Sequence, residues 1–320
     1  MKGGELSKKL LVALVNVLVL SALLLVTFRV MSLWTEQSAS INLSWSYLPV
    51  FIIYCAAFLL VMSAVWRVLL TKVSGRQFSF MGAVEQTSLM VVAKYIPGKF
   101  WGVMVRAATC GRYNISPVDV VSASVIEQLL ILYSSVSLGI ILLVLYYSPM
   151  AAVALLSVLV CLGYVIFRFL CVVAIKLLGW LKARGWVREL NLDIKDIDFF
   201  QYISVVGWYV LSWLLNGVVL LVVLEALSVD LTATEFSLVL GAYILAVVAG
   251  FLALFAPGGI GVREGVWVLL VGALLPAGLA IQLALVVRLW NTMFDLVAGG
   301  VGAAIYFTFK AADENDINSA

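Results

Sequence analysis

Histidine does not occur anywhere in this chain of 320 residues. Its absence excludes imidazole proton relays, Ser-His and Cys-His nucleophile pairs and histidine-ligated metals together. Charge is scarce too: Asp, Glu, Lys and Arg make up 12% of the chain, against 64% hydrophobic residues. Soluble domains carry roughly 25% charge, so lipid is the solvent for most of this sequence. The net charge of +3 is small and scattered, and it recruits no nucleic acid. The four cysteines, Cys55, Cys110, Cys161 and Cys171, have no CxxC or zinc-like spacing, and three lie in apolar runs where they act as small hydrophobes. No metal or cofactor is expected. No G-x-x-x-x-G-K-[ST] motif occurs, and no extramembrane segment is long enough for a nucleotide-binding domain, so any transport is passive or ion-coupled.

Long apolar runs dominate what is present. Segments able to cross about 30 Å of hydrocarbon cover Leu10 to Leu33, Tyr47 to Leu70, Val118 to Tyr146, Ala151 to Leu178, Phe200 to Leu227 and Leu279 to Phe309. The first is too long for the h-region of a signal peptide and reads as a span. Lys and Arg cluster at Lys2, Lys8 and Lys9, at Arg67, Lys72 and Arg76, at Lys176 to Lys195, and at Lys310. The loops Trp34 to Ser46, Tyr147 to Met150 and Ser228 to Thr234 contain neither. By the positive-inside rule both termini are cytoplasmic.

Two segments interrupt this pattern. Residues 78–113 carry Glu85, Gln86, Lys94, Pro97, Gly98, Lys99, Arg106 and Arg112, too polar for lipid-facing spans. They are expected to form a re-entrant hairpin from the cytoplasmic side, broken at Pro97-Gly98. Residues 235–275 are expected to form a second from outside, broken in Ala256-Pro257-Gly258-Gly259-Ile260-Gly261-Val262-Arg263-Glu264-Gly265. Placing Pro97 on Pro257 sets Glu127 beside Val287 and Arg288, and Gly139 on Gly299. Hairpin plus following helix therefore recurs with opposite orientation, an inverted repeat of the transporter kind. The expected fold is an all-α polytopic membrane protein: about six full transmembrane helices plus two oppositely oriented re-entrant helical hairpins. It is one domain over 1–310, with a disordered cytoplasmic tail over 311–320. The loop from Ala183 to Phe200 reads equally as an amphipathic surface helix or a solvated loop.

Glu127 and Arg288 each fall about 15 Å deep in their spans, where a charge costs roughly 2.5–3.5 kcal/mol. Asn291 and Asp295 share a helical face with Arg288. These residues are candidates for substrate binding, or for an internal salt bridge from Arg288 to Glu127 or to Asp295. The glycine-rich turn from Pro257, with Arg263 at a helix start, favours a phosphate, and Glu264 beside it needs a partner or a proton. Lys94, Lys99 and Arg106 offer the same chemistry from the other hairpin, while Arg112 reads as an anchor snorkelling to head groups.

The runs Lys94-Tyr-Ile-Pro97-Gly98-Lys99-Phe-Trp101-Gly102 with Arg106, then Glu127, then Ala256 to Gly265, resemble the lysylphosphatidylglycerol synthetase transmembrane-region family of flippase-like membrane proteins. The resemblance covers roughly Leu10 to Phe309, and its most specific part is the second motif ending in Glu264. It implies lipid translocation, with Pro97, Gly98, Arg106, Glu127, Pro257, Gly258, Gly261 and Glu264 at the motif positions. The family's bifunctional members also carry a soluble aminoacyl-transferase domain, which this sequence lacks. The expectation is a flippase or scramblase, not an enzyme, for an anionic lipid such as a polyprenyl-phosphate-linked sugar or a modified phospholipid, in a bacterial plasma membrane. Two alternatives are a lipid-modifying transferase with Glu127, Glu264 or Asp295 as acid or base, and an accessory subunit holding a glycosyltransferase through the Ala183 to Phe200 loop. The partners expected are the lipid, a cell-envelope glycosyltransferase or a second copy of the chain.

Overall fold

The computed structural model describes residues 45–94, 101–183, 198–253 and 256–319. The expected first span, the loop over 184–197, and Pro97, Gly98 and Lys99 lie outside them. The described residues are helical throughout, without strands: α1 Tyr47–Ser74, α2 Phe80–Ala93, α3 Trp101–Thr109, α4 Pro117–Tyr147, α5 Pro149–Ala183, α6 Phe199–Ala226, α7 Ala233–Leu252, α8 Val262–Val271 and α9 Ala277–Ser319, with short 3-10 turns at Cys110–Tyr113 and Pro257–Gly259. The protein is a polytopic all-α membrane protein. Helices α1, α4, α6, α7 and α9 are each long and apolar enough to cross, and α5 joins them if its two segments, bent by 51°, form one span.

Local chemistry sets the boundaries. Gly75 ends α1 in the left-handed region at φ 65°, and the Ser79 hydroxyl caps α2 by accepting from the Gly82 amide. Ser116 caps α4 with Pro117 behind it, and Asp198 with Gln201 and Thr232 with Glu235 form reciprocal boxes before α6 and α7. Helix α9 continues to Ser319, so the tail over 311–320, expected as disordered, is helical as far as Ser319; Ala311 and Ala312 favour propagation of the ladder.

The two hairpins take different forms. Helices α2 and α3 have 14 and 9 residues, about 21 and 14 Å, so neither arm crosses a bilayer. In the second hairpin α7 has 20 residues, about 30 Å, and α8 only 10. The unbroken apolar run from Phe236 gives α7 enough length to cross, whereas the return arm α8 is too short to do so.

Packing between the halves is reciprocal. The most extensive helix contacts join α4 to α7 and α2 to α9. Each helix that follows a hairpin thus packs against the first arm of the other hairpin. On one side the contact is backbone to backbone, since a Cβ added to Gly241 would stand 2.8 Å from the Gly139 carbonyl. On the other, a Cβ on Gly302 would stand 2.7 Å from the Ser88 Cβ. Small residues let helices approach where lipid supplies no hydrophobic drive between them. The main apolar core gathers Trp213, Leu220, Val239, Ile244, Trp267 and Leu283 around α6 to α9.

Candidate functional site

Helix α2 buries four consecutive polar residues, Glu85, Gln86, Thr87 and Ser88, because α1, α3 and α9 surround it. Buried polar groups need partners. The Gln86 carbonyl oxygen accepts from the Trp66 indole at 2.8 Å, and its amide donates to Thr109 Oγ1 and the Arg106 carbonyl at 3.2 and 3.3 Å. Glu85 accepts from the Tyr113 hydroxyl and pairs with Arg112 at 3.4 Å. Arg112 also stacks on the Tyr306 ring. It is therefore a tie between the first hairpin and α9, where the sequence reading had it snorkelling.

Arg106 and Glu127 form a two-pronged pair at 2.5 and 3.4 Å, with side chains 1% and 3% exposed. The Arg106 guanidinium lies 3.7 Å from the Trp66 ring centroid. The flat cation is thus held edge-on by a carboxylate and face-on by an indole. The other carboxylates pair differently from either expected bridge. Arg288 meets Glu264 at 3.6 Å, and Asp295 meets Lys94 at 2.7 Å. Neither bridge weighed as the alternative for Arg288, to Glu127 or to Asp295, occurs among the described residues. Depth in a helix shows that a charge is costly without showing which partner offsets the cost.

A cavity of about 270 Å³ lies where the hairpins meet α9. Lys94 reaches it from the first hairpin, Arg263, Gly258 and Gly259 from the second, and Arg288, Asn291 and Asp295 from α9. Arg106 and Glu127 are not among its lining residues; the next residue along α4, Gln128, is. Gln128 and Thr292 were missed in the sequence, where one polar residue in an apolar helix is an ordinary packing event.

The turn at Pro257–Gly259 positions the second wall. Gly258 and Gly259 adopt φ 58° and 71°. An added Cβ on Gly259 would lie 2.9 Å from the Gly250 Cα, so the turn packs directly on the backbone of α7. The Gly258 carbonyl accepts from Arg288 at 3.0 Å, and Glu264 accepts from the Gly261 amide at 2.7 Å, closing the start of α8. Behind the cavity, the Tyr243 hydroxyl accepts from Arg263 at 2.5 Å and from Asn291 at 3.2 Å, and it donates to Asn216 at 3.4 Å. Asn216 also accepts from Tyr54 at 3.4 Å and so hydrogen-bonds α6 to both α7 and α1.

Tyr243 was not singled out in the sequence, yet it orders two cavity residues on two elements. Tyr243→Phe keeps the ring against Trp213 and Trp267 and removes only the oxygen. The expected cost is about 1–3 kcal/mol from donors left without an acceptor, read as a lower melting temperature in detergent. An unchanged melting temperature would show that the hydroxyl does not hold these donors.

A family model described as Lysylphosphatidylglycerol synthase TM region matches residues 10–299, and the chain belongs to that family. A comparison with curated proteins found no match.

Proposed function

We propose that this family member moves an anionic lipid between leaflets, its phosphate held in the cavity by Lys94, Arg263 and Arg288. The observation that carries this reading is the convergence of three cations, one from each hairpin and one from α9, on one cavity whose other walls are mostly apolar. Planar guanidinium groups grip phosphate oxygens two at a time, and an ammonium adds a point charge. Lys99, a further phosphate-binding candidate from the sequence, lies outside the described residues. The carboxylates supply the exchange. A phosphate on Arg288 replaces Glu264, and movement of Lys94 toward phosphate frees Asp295. In this reading Arg106 and Glu127 fix the first hairpin and do not touch lipid.

Reciprocal packing of α4 on α7 and α2 on α9 supports an inverted repeat with hairpins re-entering from opposite sides, and the distribution of Lys and Arg supports cytoplasmic termini. The lipid is a polyprenyl-phosphate-linked sugar or a modified phospholipid. Pairing of Glu127, Glu264 and Asp295 with cations favours binding of charge over acid-base chemistry. The test is leaflet exchange of both labelled lipids in liposomes holding the pure protein, its Glu264→Gln variant or its Arg263→Ala variant. Loss of charge-assisted bonds of about 1.5–3 kcal/mol predicts a roughly ten- to hundredfold slower exchange in Arg263→Ala. Glu264→Gln is expected to slow it as well. Full exchange in both variants would remove these residues from the path, and exchange of neither lipid by the wild type would reject the reading.

A further inference from the structure

Phe251, in the last turn of α7, is a wall of the cavity and is 39% exposed. The other exposed residue of the lining is Lys94, the cap of α2, whose side chain is 47% exposed. These two rim residues have opposite characters. A lysine this exposed within a membrane domain faces water or a phosphate, whereas an exposed phenylalanine faces hydrocarbon. Leu252, next to it in sequence, is exposed as well, and so are Met104 and Met293, which follow the lining residues Val103 and Thr292. On α3, α7 and α9 alike, an exposed apolar residue thus follows a residue of the lining.

The chemistry of a lipid makes such an opening necessary: its charged head belongs with the cavity's cations and its hydrocarbon chain does not. Placing that chain in water costs about 0.8 kcal/mol for every methylene, so it stays in hydrocarbon while the head is inside. We infer that Phe251 is the lip of a lateral opening through which the hydrocarbon chain of a bound lipid leaves the cavity, a chain-binding subsite distinct from the phosphate-binding cations. The inference rests on the lipid-transport reading. Lys94 marks the wet mouth of the same cavity and Phe251 the dry one.

Photocrosslinking of the full chain in liposomes tests it. Phe251 is replaced with p-benzoylphenylalanine, and so is Leu214, a lipid-facing control on α6. The vesicles carry an anionic phosphodiester lipid tritiated in one acyl chain or, in parallel, a prenyl phosphate sugar tritiated in the prenyl chain. The expected result is a labelled adduct on the hydrocarbon chain of one lipid, several-fold stronger at position 251 than at 214, that falls to the control level in an Arg263→Ala background. Equal adducts at both positions, unaffected by Arg263→Ala, overturn the subsite. Leaflet exchange measured on the wild type separates the failures: with exchange present and equal adducts only the lip is wrong, whereas without exchange the transport reading itself falls.

Discussion

Arg106→Ala is expected to abolish recovery of folded protein, while Arg106→Met combined with Glu127→Leu restores it. The single change leaves the Glu127 carboxylate, 3% exposed, without its counterion inside a membrane domain. Breaking a buried pair in this way costs about 3–5 kcal/mol, and whole domains are stable by only about 5–15. The loss extends further, because the guanidinium also covers the Trp66 ring and its Nε reaches the Gln86 backbone carbonyl at 3.5 Å. Replacing both charges with apolar residues of similar volume removes the cost of desolvating them, and such swaps are often neutral or stabilising. Fluorescence-detected size exclusion and thermal unfolding in detergent measure the outcome. A folded, monodisperse Arg106→Ala protein that has lost leaflet exchange would return the pair to the lipid path and overturn its structural assignment.

Gly259→Ala is expected to eliminate leaflet exchange in a protein that still inserts. Two penalties act together. The backbone sits at φ 71°, a left-handed conformation that costs an L residue roughly 1–2 kcal/mol. The new methyl also meets the Gly250 Cα, carbonyl carbon and oxygen at 2.9–3.0 Å, all backbone atoms that no rotamer change can move. Overpacking of this kind costs about 1–3 kcal/mol, so the sum is roughly 2–5. The turn relaxes by lifting off α7, and the Gly258 carbonyl that holds Arg288 moves with it. Gly265→Ala supplies the control, since a methyl there meets nothing within 4 Å and lies inside α8. It is expected to retain exchange. Equal exchange in the two variants would show that the contact between Gly250 and Gly259 does not shape the site.

The spans were legible because length and hydropathy are properties of single segments. Tyr47–Ser74, Pro117–Tyr147 and Phe199–Ala226 fall within a few residues of the runs read from sequence. The break at Pro257-Gly258 was equally plain, because proline cannot continue an apolar helix. Arg288, Asn291 and Asp295 lie on one wall of the cavity, as helical periodicity places them. Relations between segments were hidden. Nothing in the spacing of Lys94 and Asp295, 201 residues apart, distinguishes their pairing from the alternatives. Tyr243 was hidden for another reason: tyrosine in an apolar helix is ordinary, and only the arrival of Arg263, Asn291 and Asn216 at one oxygen gives it a role.

Reciprocal packing dictates an order of assembly. The principal partner of α2 is α9, which leaves the ribosome about 190 residues after it. At 5–20 residues per second α2 waits roughly 10–40 s for that partner. Throughout that interval its polar quartet from Glu85 to Ser88 lacks one of its three neighbours. The first hairpin therefore completes its burial only when α9 arrives, and truncation before Ala277 is expected to leave that polar surface uncovered.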